Sequence, residues 1–235
     1  NVLSDNEKAI FKNITMYMDD ALCCSAVNIM CRYMQRYYNK KVIVLLDEYD
    51  TPMQEAYIHG YWDEFTAFLR SLFNATFKTN PYLERAVMTG ITRVSKESMF
   101  SDLNNLNVVT TTSDEYSSCF GFTEEEVFDS LDAFGLSDKK QEVKKWYDGF
   151  TFGSHKDIYN PWSVTSYLDK KRIAPYWAST SSNGLVSRLL QTASTQVKEL
   201  MEELLRGGTI VVNFDEQIVF NQLDTNESAI WSLLV

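Results

Sequence analysis

The sequence predicts an α/β fold: a partial parallel sheet followed by a mostly helical, lid-like region with a small β-hairpin. Three observations predict it. The aliphatic run Val42-Ile43-Val44-Leu45-Leu46 leads straight into Asp47, Glu48 and Asp50, and an apolar run of that length bounded by charges reads as a strand buried on both faces. A second run, Arg85-Ala86-Val87-Met88-Thr89-Gly90-Ile91, reads as another buried strand after an intervening helical pattern, with the polar Thr89 at its tip, and helix–strand alternation of this kind indicates a parallel sheet. Beyond Phe122 the spacing of apolar residues becomes helical and stays so for most of the remaining chain.

Residues 5–39 read as helical. Asp5 can cap the first segment, and a second helix covers 21–38 with apolar residues three and four apart. The strand 42–46 follows. Thr51-Pro52 breaks the chain just after the acids, because proline suits a first helical turn but not a strand interior. From residue 53 to 78 the pattern is helical again, with Phe65, Phe68, Leu69, Leu72, Phe73 and Phe77 on one spacing and Gly60 as an interruption. Asn80-Pro81 marks a turn before the second strand. A short helix comes next, and the β-branched stretch Asn107-Val108-Val109-Thr110-Thr111-Thr112 reads as a third strand.

Thr123-Glu124-Glu125-Glu126 joins an N-cap residue to acids in a first turn and starts a helix over 123–134; another covers 138–147. The aromatic- and glycine-rich segment from Trp146 to Trp162 reads as a connector whose aromatics pack, with Pro161 opening a helix to about residue 169. Helices at 182–193 and 195–206 stop at Gly207-Gly208. Residues 209–214 and 217–220 alternate as a hairpin, and a last helix begins at 227. The division expected from these elements is a partial α/β core over 1–119 and a helical, lid-like region over 120–235.

The chain has 235 residues, enough for one large domain or two small ones with a sizeable core. With 45% hydrophobic and 14% aromatic residues its composition is that of a globular protein and not of a disordered one. No apolar run is long enough to span a membrane and no leader is visible at the start. Cys23 and Cys24 are adjacent, Cys31 lies about two turns on, and Cys119 stands apart; this is not zinc-site spacing. Reduced, mostly buried thiols in a cytoplasmic protein are expected. A formal net charge of −10 and the lack of a basic stripe argue against nucleic-acid binding by this segment. The clusters Lys139-Lys140, Lys144-Lys145 and Lys170-Lys171-Arg172 read as solvated helix faces. His59 and His155 are isolated, so no transition-metal site is expected.

The candidate chemistry lies at the strand ends. Carboxylates that close a buried parallel strand sit at the carboxyl edge of the sheet, where open α/β folds bind ligands. The run into Asp47 and Glu48 has the pattern of a Walker B strand, whose first acid holds the Mg²⁺ of a nucleotide while the next polarises water. The plainer alternative is a polar turn; Asp50, able to cap a helix starting at Pro52, fits that alternative better than Asp47 does. Thr89 at the tip of the neighbouring strand is placed to touch a phosphate or the water, and Arg93 follows on the loop as a candidate for neutralising phosphate charge. Their alternatives are a buried β-branched strand residue and a surface ion pair. No G-x-x-x-x-G-K-[ST] phosphate loop occurs in these residues.

Residues 42–50, the run Met88-Thr-Gly-Ile-Thr-Arg-Val-Ser-Lys-Glu-Ser-Met-Phe-Ser-Asp-Leu-Asn-Asn-Leu, Phe120-Gly-Phe-Thr-Glu-Glu-Glu, Trp146-Tyr-Asp-Gly-Phe and Tyr159-Asn-Pro-Trp-Ser-Val together resemble the bacterial AAA-ATPase-like family. This is a family of P-loop NTPases related to archaeal ATPases. Trp177, Thr180-Ser181-Ser182-Asn183 and Ile230-Trp-Ser-Leu-Leu fit the same pattern, so the resemblance runs along essentially the whole chain. It implies an ATPase core and a helical lid-like region, with ATP and Mg²⁺ as cofactors of a longer protein. That protein would also carry a phosphate loop and a PD-(D/E)XK nuclease-like domain.

By the same resemblance Asp47 is the Mg²⁺-associated acid, Glu48 the water-polarising acid, Thr89 the sensor position and Arg93 a further phosphate contact. Lys96, Asn104 and Asn105 fall in the same motif without separate roles. The nucleotide cycle would drive the helical region or the attached nuclease-like domain, and other protein subunits are further partners the resemblance allows. Without a phosphate loop this chain is expected to bind nucleotide weakly at most and to turn over negligibly. The alternative function is a non-catalytic protein-interaction module derived from a P-loop NTPase. A standalone metal-dependent nuclease fits poorly, since the separated acids and following lysine of such a site are missing.

Overall fold

The computed structural model describes residues 3–90, 103, 105–178, 184–212, 223 and 229–233. In chain order its elements are α1 (Asp5–Asn13), α2 (Asp20–Tyr38), β1 (Val42–Leu46), α3 (Thr51–His59), α4 (Trp62–Phe73), a π-helical turn (Asn74–Lys78) and β2 (Leu83–Met88). Then come β3 (Phe122–Thr123), α5 (Glu124–Ala133), a 3₁₀ turn (Ser137–Lys139), α6 (Lys140–Tyr147), β4 (Asp148–Phe152), β5 (His155–Tyr159), α7 (Pro161–Lys170), α8 (Gly184–Thr192), α9 (Thr195–Leu205) and α10 (Ala229–Leu233). The α/β class read from the sequence holds. The chain separates into two units, one of residues 1–106 with 185–234 and one essentially of 107–184. This grouping differs from the division expected after residue 119, because Leu185, Leu189, Val197 and Trp231 bury themselves in the same core as Met53, Tyr57 and Phe73.

In the first unit, Ser4 and not Asp5 caps α1. The Ser4 hydroxyl accepts from Glu7 N at 3.3 Å and Glu7 Oε2 accepts from Ser4 N at 2.9 Å, a reciprocal capping box. Glu7 also takes two hydrogen bonds from the Arg36 guanidinium, at 2.7 and 3.0 Å, which tie α1 to α2. Asp19 caps α2 through Leu22 N at 2.8 Å, and Asn39 ends it in the left-handed region. Asn28 Nδ2 donates to the carbonyl of Ala75 at 2.8 Å and fixes α2 against the π turn. Gly60 stops α3 with a positive φ, where the sequence places an interruption. Arg188 of α8 donates to the carbonyls of Tyr57 and Ile58, 3.2 Å each, and lies over the Tyr57 ring, so one cation closes the C-terminal end of α3.

β1 and β2 pair in parallel, Leu45 beside Val87 and Leu46 beside Met88. The strand is not buried on both faces as its composition predicts. Val42, Val44 and Leu46 turn half-buried toward the core, while Ile43 is 60% exposed, Leu45 75% and Val87 46%. Among the described residues helices pack on one side only. The period-2 geometry of a strand therefore leaves alternate aliphatic side chains in solvent. Residues 107–112 form no strand either. Ser113 Oγ accepts from Thr110 N at 3.0 Å and Ser113 N donates to Thr110 O at 3.0 Å, so local side-chain bonds hold a turn in place of a ladder.

The second unit is built on Val127, Leu131, Val143 and Tyr159, all fully buried, with Val164 and Tyr167 of α7. Thr123 and Glu126 form the capping box that starts α5. The segment after Trp146 folds as the β4–β5 hairpin, with Gly153 at positive φ in its two-residue turn and β3 added along β5. Its aromatics divide: Tyr147 and Tyr159 are buried, but Trp146, Phe150 and Trp162 are about half exposed. The small hairpin is thus here. Residues 209–212 are not a strand, and 213–220 lie outside the described residues.

Lys144 gathers three acids of this unit, bonded to Glu124 and lying 3.3 Å from Asp157 and 4.0 Å from Asp148. The Lys144 ammonium therefore titrates above its usual range, chiefly through Glu124. Asp157 is held low by its hydrogen bond from Lys144, whereas burial pushes Asp148 up.

Two outcomes test these contacts. The Arg36 bond, then the Ser4 amide, hold the Glu7 carboxyl down to about 2 against an ordinary 4.5. Since the folded value is the lower one, the clasp is complete above pH 4.5 and is lost as pH falls toward 2. Carboxyl chemical shifts should show Glu7 titrating near 2, and near its ordinary value in Arg36→Ala. Arg188→Ala leaves two carbonyls without their charged donor and should cost about 1–3 kcal/mol in a urea melt.

Candidate functional site

The ends of β1 and β2 meet at one edge of the first unit. The ladder runs past both strands: Thr89 N donates to Leu46 O at 2.9 Å and Tyr49 N to Thr89 O at 2.9 Å. That register sets Thr89 beside Asp47, and the Thr89 hydroxyl donates to Asp47 Oδ1 in a short hydrogen bond. Glu48 N points at the same two oxygens, 3.1 Å from Asp47 Oδ1 and 3.3 Å from Thr89 Oγ1. The second carboxylate oxygen of Asp47 makes no hydrogen bond among the described residues. Asp47 and Glu48 are both exposed.

Glu48 has φ +51, left-handed backbone that a residue with a Cβ adopts at a cost of about 1–2 kcal/mol. This kink turns the chain sharply from β1 into α3. It also presents Glu48 beside Asp47, and Thr51 Oγ1 donates to Glu48 Oε2 at 3.4 Å. Sharp turns held against local preference concentrate at functional sites.

Asp50 occupies the N-cap position of α3, and Pro52 sits in its first turn, as the sequence leads one to expect. Its carboxylate, however, makes no capping bond to the helix; Gln54 Nε2 donates to Asp50 Oδ2 at 3.2 Å instead. Only 1% exposed, Asp50 lies directly under Gly90. A Cβ on Gly90 would stand 2.5 Å from Asp50 Oδ1 and 2.8 Å from the Tyr49 ring. Sequence reasoning missed this pair. The available signal was a third acid after the strand and a glycine directly after Thr89, which marks a close backbone approach.

The structure therefore brings together Asp47, Glu48 and Thr89. Arg93, Lys96 and Asn104 lie outside the described residues; Asn105 is described and exposed in a turn. Among the described residues no group of three or more histidine, cysteine or acidic side chains could hold a metal ion, so a metal here would rest on one or two carboxylates with ligands from elsewhere. No described helix is long and apolar enough to cross a membrane.

An acid-tipped strand in parallel register with a threonine-tipped neighbour is the setting in which the chain's relatives become informative. Residues 2–100, which contain the whole site, match the AAA-ATPase-like family, described as predicted AAA-ATPases. That is the family whose resemblance was read from the sequence, and the match extends over this first part of the chain. The chain is also 31% identical over 153 residues to a protein of Azotobacter chroococcum mcd 1 described as an uncharacterized protein in the vnfD 5'region. The alignment takes in 64% of this chain and 29% of that relative's length. No solved structure matches the chain.

Gly90→Ala tests the packing beneath the site. The added methyl forces Asp50 or Tyr49 to move, so the variant should lose about 1–3 kcal/mol of stability in a denaturant melt, and the amide resonances of Tyr49 and Asp50 should shift.

Proposed function

We propose that the edge formed by Asp47, Glu48 and Thr89 is half of an ATP–Mg²⁺ site, completed in a longer protein that supplies a phosphate loop, and that the activity served is ATP hydrolysis. The observation that supports the reading best is the placement of two carboxylates and a threonine hydroxyl on adjacent tips of a parallel pair. The match of residues 2–100 to predicted ATPases supports the same reading.

The donor set fits the ion. Magnesium prefers hard oxygen ligands and takes one or two carboxylates, with waters and phosphate oxygens filling the rest. Asp47 offers a carboxylate oxygen that no described residue engages. Bound with the nucleotide, the ion neutralises charge on the phosphates. Thr89 orients the Asp47 carboxylate by donating to its other oxygen, which makes it a positioning residue in this conformation. Glu48, exposed at the kink, orients the attacking water and accepts its proton. Arg93 is the proposed further contact to phosphate.

The test is Glu48→Gln in a longer protein carrying a phosphate loop. Loss of a positioned base should lower ATP turnover by about 100-fold or more while leaving ATP–Mg²⁺ binding intact. Unchanged turnover removes the catalytic assignment. Asp47→Asn should instead weaken the magnesium dependence of nucleotide binding, measured by calorimetry with and without the metal.

A further inference from the structure

A groove of about 800 Å³ runs between α2 and α4, on the surface of the first unit and apart from the strand-end site. Asp20, Ala21 and Cys24 of α2 form one wall, and Glu64, Phe65, Ala67, Phe68 and Ser71 of α4 the other, with Tyr61 at the end. On α4 the residues 64, 67, 68 and 71 follow the three-and-four spacing of a single helix stripe. That stripe is distinct from the one that carries the buried Leu69 and Phe73. The floor is apolar: Phe65 and Phe68 lie ring to ring at 6.3 Å, and Tyr61 meets Phe65 edge-on at 6.1 Å. Cys24 Sγ rests 3.9 Å from the carbonyl of Phe68, which locks the two helices at the base of the groove.

The rim is charged with one sign. Asp20 and Glu64 are exposed, and neither makes a hydrogen bond or ion pair with any described residue. Among the described residues, no lysine, arginine or histidine lines the groove. Asp19, not Asp20, caps α2, so the Asp20 carboxylate is left over from the needs of the helix start. Small residues at Ala21, Ala67 and Ser71 let another backbone approach closely between the aromatic side chains.

We propose that this groove docks a basic amphipathic helix of a partner protein. The apolar face of that helix would lie on Phe65 and Phe68, and its lysine or arginine side chains would reach Asp20 and Glu64. Helix-in-groove recognition uses an apolar trough with charges at its edges to fix register and orientation. The aromatic rings add favourable faces for a cationic side chain. A nucleic-acid strand is disfavoured by the same carboxylates.

The probe is a synthetic 15-residue peptide of leucine and lysine at helical spacing, with a second peptide in which glutamate replaces lysine, each titrated into the 235-residue chain by fluorescence anisotropy. The lysine peptide should bind and the glutamate peptide should not. D20K/E64K should weaken binding about tenfold or more, since each reversal turns an attraction into a repulsion. E125K/D129K on α5 makes the same change in net charge and should leave binding unchanged. Ala67→Trp fills the groove without altering charge and should weaken binding comparably, which keeps the test decisive if the double reversal misfolds. Circular dichroism checks each variant. Equal weakening by the α5 reversal, or no binding to the native chain, overturns the proposal. So does binding that shifts amide resonances away from Ala21, Ala67 and Ser71.

Discussion

The in-register parallel pairing of β1 with β2 is the constraint on which the candidate site depends. Leu46 lies beside Met88, and the ladder continues one residue further through Thr89 N to Leu46 O and Tyr49 N to Thr89 O. Only in that register does the Thr89 hydroxyl reach Asp47. A slip of one residue would turn every β2 side chain to the opposite face and take Thr89 away from the carboxylate. The left-handed kink at Glu48 and the bare Cα of Gly90 are consequences of the same pairing. The chain must leave β1 abruptly, and Asp50 must pass beneath the backbone that follows β2.

The rest of the first unit holds this pair from one side. Leu46 and Met88 pack on a core of helices whose arrangement is fixed by specific polar contacts as well as by apolar area: Glu7 with Arg36, Asn28 with Ala75 O, and Arg188 across the end of α3. Each satisfies backbone or charged groups at a helix end or between helices, where an unpaired group would be costly. The second unit uses a different device. Its small core is surrounded by one lysine shared among Glu124, Asp148 and Asp157, with Tyr159 donating to Glu124 at 3.0 Å. One cation among three acids explains why the two aspartates are pushed in opposite directions. Asp157 takes the hydrogen bond from Lys144, while the more buried Asp148 loses solvation and gains a like-charged neighbour.

Much of the candidate site was legible in the sequence because its signals are local. An aliphatic run ending in acids and a proline two residues beyond them lie within a dozen positions. Of the runs that carry the family resemblance, the match over residues 2–100 takes in 42–50 and most of the one beginning at Met88, while those from Phe120 onward lie outside it. Asp50 and Gly90 were not legible as a pair, since their contact joins positions forty residues apart and depends on the strand register. Residues 107–112 misled in another way. Their β-branched composition favours strands, but Thr110 and Ser113 offered the backbone local hydrogen bonds that a strand partner would otherwise provide.

By itself the sequence determined the α/β class, the helices bounded by Gly60, by the Thr123–Glu126 capping box and by Pro161, and the two acid- and threonine-tipped strands. Caps, breakers and periodicity act over a few residues, so they can be read without knowing what packs where. Only the tertiary structure decided that β1 half-buries one face and exposes the other. It likewise decided that Tyr147 is enclosed while its neighbour Trp146 is not, that Leu185, Leu189, Val197 and Trp231 close the core begun by Met53, and that the Trp146–Trp162 segment pairs as a hairpin. Composition states how apolar a segment is. Which side of it meets another element is settled by pairing and packing between residues far apart in the chain.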